Sequence, residues 1–276
     1  MLQRFLGYFS YLRTHFGLRG AIVFMLFYGI ARILGDHRRR LHRIPVGPYV
    51  FYFPLVAFFA GLFNEIFFNE EYFLEKTDSA IRVIDGGANI GVSLLYIKLQ
   101  APNAHVICIE PNPAAQIVLE KNITTNGWEK SVTIIRSALG KSTGTADFFL
   151  LADTDTDSSG SLIQKSGLKE KRRSFTVPVE PLSHHITEPI DFLKLDIEGA
   201  EFDVMDDLQT SGCLARIKHI QLEYHDEPDS PANSLSSMLQ RLEHEGFKTA
   251  VRSIVSASDV ISRHWRRNGM IYAWRT

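Results

Sequence analysis

From residue 79 onward the chain alternates short apolar strands with helical stretches, and this alternation constrains its fold more than any other feature. The strands are "IRVID" (81–85), "HVICIE" (105–110), "VTIIR" (132–136), "FLKLDI" (192–197) and "HIQLEY" (219–224). Runs so rich in Val, Ile and Leu suit strands buried on both faces. Helical stretches lie near 90–100, 113–125, 201–210 and 233–246. The pattern predicts a Rossmann-like α/β fold, a doubly wound and mostly parallel sheet. "GFKTAVRSIV" and "MIYAWRT" read as two final strands at one edge. The segment 152–173 breaks the rhythm with small polar, acidic and then basic residues, and reads as a surface loop.

The turn "VIDGGANIGVS" (83–93) follows the first strand and opens the first helix. Gly86 and Gly87 permit backbone angles and close approaches that a β-carbon would block. The spacing is not the G-x-G-x-x-G of a dinucleotide site. Asp85 stands beside the turn, and an acid there disfavours a pyrophosphate and favours an ammonium group. Glu110 ends the second strand, where a carboxylate can accept hydrogen bonds from two ribose hydroxyls. A ligand with an amino-acid end, a ribose and an adenine but no phosphate fits this pair, namely S-adenosylmethionine.

"VIDGGANIGVSLLYIK", "IEPNP" and "LKLDIEGAE" together resemble the FkbM family of S-adenosylmethionine-dependent methyltransferases. The resemblance covers roughly Glu71 to the C-terminus, and "FNEIFFNEEYF" is similar to the segment preceding the family's domain. It implies the class I methyltransferase fold and transfer of a methyl group to a hydroxyl oxygen of a sugar, glycolipid or natural product. It also implies a cofactor site lined by Asp85, Gly87, Asn89, Gly91 and Glu110. Asn112 would extend the ribose contact, and Ser137 and Ala138 would pass the adenine.

In an open α/β sheet the ligand lies outside the carboxyl ends of the strands. Asp196 ends the fourth strand, and Glu223 and His225 lie at the end of the fifth. These two strands are expected to be neighbours. The three residues are then the catalytic candidates. His225 would act as base, with Asp196 orienting the acceptor hydroxyl. No metal set is assigned; a divalent cation held by Asp196, Glu223 and His225 is the alternative to a base. Lys194 is expected to form a buried ion pair with a carboxylate. Glu198 and Glu201 are expected to serve the first turn of the next helix, Glu198 as a cap.

Three regions follow from composition. Residues 1–48 form a basic, apolar helical extension, 49–78 an aromatic lead-in that packs on the catalytic domain, and 79–276 the cofactor-binding domain. Residues 1–48 hold eight Arg and one Asp, so +7, which leaves −8 for the rest of a chain of net charge −1. Basic residues among aromatics suit either a solvated helix face or peripheral contact with anionic lipid, and suit nucleic acid less. The apolar run at 44–64 holds Pro45, Pro48 and Pro54, which argues for buried packing over a membrane span. Cys108 and Cys213 form no zinc or disulfide pattern, which fits a reducing, cytoplasmic setting. The partner is a small-molecule, glycan or glycolipid acceptor. Two other readings stand beside this one: an NAD-type oxidoreductase, and a non-catalytic membrane-associated binding module.

Overall fold

The computed structural model describes residues 13, 41–151, 161–162, 172–225, 233–253 and 268–275. Its centre is a seven-stranded sheet. In chain order the strands are β3 (Arg82–Gly86), β4 (His105–Ile109), β5 (Val132–Ile135), β9 (Ile190–Leu195), β10 (Ile217–His225), β11 (Lys248–Ser253) and β12 (Asn268–Trp274). They are ordered β11-β12-β10-β9-β3-β4-β5. From β10 to β5 all neighbours run parallel, whereas β12 runs antiparallel between β10 and β11. The chain builds outward from β3 in one direction, then returns to lay β9 on its other side. The switch in strand order therefore falls between β3 and β9, where open α/β sheets form their crevice.

Alternate residues of each strand feed two cores. Val83, Val106, Phe192 and Met270 enter one core with α2 (Val92–Gln100) and α3 (Pro113–Thr125). Ile84, Leu193, Ile220 and Ile271 enter the other with α4 (Glu201–Thr210) and α5 (Leu235–His244). Both faces are covered, which explains the contiguous apolar strands.

Two further pieces of sheet complete the described fold. A hairpin, β1 (His42–Val46) with β2 (Tyr49–Phe53), precedes α1 (Val56–Phe63) and a π-helical turn, Asn64–Phe68. A small sheet of β6 (Ala138–Leu139), β7 (Gly144–Leu151) and β8 (Arg172–Glu180) stands beside the main one. Arg172 and Arg173 thus belong to a strand, while most of the expected surface loop lies outside the described residues. So does most of the expected N-terminal helical extension, and its last residues, His42–Val46, are strand.

The lead-in joins the main core. Ile44, Phe51, Phe53, Phe59, Phe63 and Phe67 are buried there, in agreement with packing rather than a membrane span. Among the described residues no helix is long and apolar enough to cross a membrane. Phe53 stacks on Phe59 and Phe63 on Phe67, with ring centroids 4.3 and 4.1 Å apart. Asn122 on α3 and Asn126 at its C-terminal cap fasten the hairpin. Asn122 accepts from Tyr52 N–H at 2.7 Å and donates to the carbonyls of Tyr52 and Ile90, both at 3.0 Å. Asn126 does the same for Val50.

Replacing Asn122 by Ala leaves three buried backbone groups without this partner. The expected loss is about 1–3 kcal/mol, read as a lower midpoint in urea unfolding.

Candidate active site at the strand switch

The residues that form the crevice are brought together by one buried cation. Lys194, in β9, is 3% exposed in its side chain, and its Nζ lies 3.2 Å from Asp85 Oδ1 and 3.8 Å from Asp196 Oδ2. It donates to the carbonyls of Gly86 and Gly87 at 3.2 and 2.8 Å, and lies over the Tyr72 ring. Burial alone would lower its pKa, but the charges of Asp85 and Asp196 outweigh this and raise it. The expected ion pair is present.

Gly87 is a positional requirement. Its φ is +77°, and a β-carbon there would lie 1.8 Å from the carbonyl oxygen of Asp196. The turn after β3 thus presses against the end of β9. Gly91, at φ +92°, packs against Leu119 of α3 and positions the start of α2.

A cleft opens over these strand ends. Its wall includes Gly87, Ala88, Asn89, Ser93, Glu110, Ser137 and Ala138 on one side. On the other side lie Asp196, Glu198, Glu223 and three residues of the lead-in, Glu65, Glu71 and Tyr72. Glu110 is 5% exposed. Its two carboxylate oxygens accept from Asn89 N–H and Asn112 N–H, each at 2.8 Å. Burial raises its pKa to about 7 although these two N–H groups pull the other way. Ser137 is buried at the cleft wall, and its Oγ has no hydrogen-bond partner among the described residues.

Not every expected cofactor residue reaches the wall. Asp85 is fully buried beneath it, bonded by Ser93 Oγ at 2.5 Å and paired with Lys194. Its carboxylate is therefore an organiser of the turn, not an open acceptor for an ammonium group. Gly91 lies behind the wall, and the Asn112 side chain caps α3 by accepting from Ala114 N–H at 3.0 Å.

The second half of the site gathers at the ends of β9 and β10, which pair as expected. His225 is 6% exposed. Its Nδ1 lies 3.0 Å from Glu201 Oε1 and its Nε2 lies 3.4 Å from Glu198 Oε2 and 3.8 Å from Glu223 Oε1. Burial would lower the His225 pKa, yet these carboxylates raise it to about 10. The carboxylates around the ring thus favour its protonated form, which works against a role as a free base at neutral pH. Glu198 also departs from expectation. The helix α4 has Ala200 at its cap with no side-chain bond, and Glu198, at φ +60°, turns toward His225. Glu201 holds the turn instead, accepting from Gly199 N–H at 3.1 Å.

Sequence reasoning missed Glu65, Glu71 and Tyr72. Tyr72 donates to Asp196 Oδ2 at 3.3 Å. Burial, with Glu71, Asp196 and Glu198 nearby, raises the Glu65 pKa to about 7. Their signal was the acid-studded aromatic run "FNEIFFNEEYF". What places them is long-range: Gln221 of β10 makes both backbone hydrogen bonds of Phe73, and Tyr272 donates to the Glu71 carbonyl.

The parallel sheet, the glycine turn at its switch and the acid at the tip of β4 define the class I methyltransferase fold. A family model described as "Methyltransferase FkbM domain" matches residues 85–249, and the chain belongs to that family. Methyltransferase sdnD of Sordaria araneosa is 28% identical over 172 residues, 52% of this chain and 66% of that one. Methyltransferase 1 of Beauveria bassiana is 26% identical over 160 residues, 51% and 64% respectively. The AMB antimetabolite synthetase AmbE of Pseudomonas aeruginosa is 27% identical over 236 residues, 69% of this chain and 11% of that one. The match to each relative thus spans about two thirds of its length or less. Among solved structures, methyltransferase FkbM from Methylobacillus flagellatus aligns with 73% of this chain and 45% of that one, at 16% identity and a TM-score of 0.48.

Replacing Lys194 by Met leaves Asp85 and Asp196 without their shared cation. The expected cost is about 3–5 kcal/mol in chemical denaturation. Adding Asp85→Asn restores part of it.

Proposed function

We propose that the protein transfers a methyl group from S-adenosylmethionine to a hydroxyl oxygen of a small-molecule, glycan or glycolipid acceptor. The observation that carries this reading is the two-ended cleft. Glu110 and the glycine turn line it together with Asp196 and Glu223, across the strand switch, and His225 lies behind that wall, 3.8 Å from Glu223. The wall fits the cofactor. Both Glu110 oxygens are held in place by backbone N–H groups and keep lone pairs for two ribose hydroxyls. The buried Ser137 Oγ, without a partner among the described residues, offers a polar contact beside Ala138 where an adenine edge would lie. Asn89 sits in the positive-φ conformation that lets its N–H reach Glu110, and Gly87 leaves room at the turn.

S-adenosylmethionine supplies a sulfonium-activated methyl group, and transfer forms a C–O bond as the C–S bond breaks with its electron pair going to sulfur. The chain's residues hold the acceptor oxygen in line and take up its proton. Positioning of this kind lowers the barrier by several kcal/mol. Asp196, fixed by Tyr72 and near Lys194, orients the hydroxyl. Asp196 also accepts the released proton, while burial and the nearby Asp196 charge raise the Glu223 pKa to about 9, which makes Glu223 a neutral hydrogen-bond donor on the same wall. His225, pinned by Glu201, holds this end of the site together. The fully buried Asp85 and Lys194 position the turn without touching the methyl group.

Calorimetric titration with S-adenosylhomocysteine tests the reading. Binding is expected for the native protein and loss of binding for Glu110→Ala. Binding of nicotinamide dinucleotides in place of S-adenosylhomocysteine would support the oxidoreductase reading instead. The titration is also expected to depend on pH. Glu110 accepts both hydroxyls only when ionised, and its pKa is raised to about 7. Affinity is therefore full above that pH and falls as pH drops through it, to roughly one tenth at one unit below. Glu110→Gln is expected to bind more weakly and to flatten this profile.

A further inference from the structure

The cluster at the ends of β9 and β10 has the make-up of a divalent-cation site. Asp196 and Glu198 each offer a carboxylate oxygen and His225 a ring nitrogen, and these atoms lie within 4.8 Å of one another. Glu198, not Glu223, completes the set; the sequence had suggested Glu223. The histidine is mounted as a metal ligand usually is. Glu201 Oε1 lies 3.0 Å from Nδ1, and that carboxylate is held by Gly199 N–H. A carboxylate on one ring nitrogen fixes the tautomer and presents the other nitrogen to a ligand. Here the other nitrogen, Nε2, faces Glu198 and Glu223, and a bound cation would take the place of the proton that Nε2 carries without one. Glu201 is 1% exposed, and its Oε2 has no hydrogen-bond partner among the described residues. Lys194 reaches Asp196 only at 3.8 Å and is spent on Asp85 and two carbonyls.

We propose that Asp196, Glu198 and His225 bind one divalent cation of the Mg²⁺ or Mn²⁺ kind, and that the acceptor enters as an oxygen ligand to it. The cation part rests on this cluster alone; the acceptor part rests on the methyltransferase reading above. Two carboxylates with one imidazole suit a hard, oxygen-preferring ion with coordination positions left open. Asp196 and Glu198 lie on the cleft wall, so those open positions face the acceptor space. A cation there fixes an acceptor hydroxyl and makes its proton easier to lose. It favours acceptors with two adjacent oxygens, such as vicinal diols, which chelate.

The test is the electron paramagnetic resonance signal of free Mn²⁺, followed as Mn²⁺ is added to the full chain after chelator treatment. The native protein is expected to quench the signal at about one ion per chain, with Mg²⁺ competing. Asp196→Asn and Glu198→Gln are expected to weaken binding at least tenfold. Glu201→Gln is expected to weaken it about 10–100-fold through the ring it orients. Glu198 sits on a half-buried turn, so Glu198→Gln keeps the test valid if another variant fails to fold, with circular dichroism as the check. No quenching by folded native protein at millimolar Mn²⁺, or equal quenching by every folded variant, overturns the proposal. S-adenosylhomocysteine is titrated in parallel. Its binding without Mn²⁺ binding removes the cation site and leaves the methyltransferase reading. Mn²⁺ binding without it keeps the cation site and removes that reading, and the acceptor part with it.

Discussion

One ammonium group holds this site in register. Lys194 joins a carboxylate from β3, a carboxylate from the end of β9 and two carbonyls of the turn between β3 and α2. These elements meet at the switch in strand order, where one backbone hydrogen bond, from Asp196 N–H to the Gly86 carbonyl at 3.1 Å, also ties the strand end to the turn. A buried lysine is costly unless it is paired and fully bonded, and here it is both. The same contact makes Gly87 obligatory, because the turn drawn in by Lys194 lies against the Asp196 carbonyl. Ion pair and glycine are two consequences of one close approach.

The site is also unusually acidic. Glu65, Glu71, Glu110, Asp196, Glu198 and Glu223 share the cleft wall with the single ammonium of Lys194. Burial first, and then the neighbouring carboxylates, raises the pKa values of Glu65, Glu71 and Glu223. A fold tolerates such a concentration where a cationic ligand answers it. The proposed sulfonium cofactor would supply one positive charge, and a divalent ion at Asp196, Glu198 and His225 would supply more.

The parallel sheet, its helices and the positions of Glu110, Asp196 and Glu223 were legible in the sequence because each rests on a local pattern. The strands are apolar on both faces, and the acids fall where those runs end. Asp85 was legible as important but not as buried, since nothing in "VIDGG" shows that Lys194, more than a hundred residues later, takes its carboxylate. Glu65, Glu71 and Tyr72 were hidden for the same reason. Their place over the cleft is decided by Gln221 and Tyr272 on distant strands. The small sheet was missed because β7 and β8 mix polar and apolar residues and flank a long polar segment. Asn122 looked like an ordinary helix residue, because its three backbone partners lie in the hairpin and the glycine turn.

The most direct measurement is a crystal structure of the protein with S-adenosylhomocysteine. The account predicts the ribose hydroxyls on Glu110, the adenine beside Ser137 and Ala138, and the sulfur directed across the strand switch toward Asp196, Glu223 and His225. A ligand bound elsewhere, or one whose sulfur points away from those three residues, would contradict it.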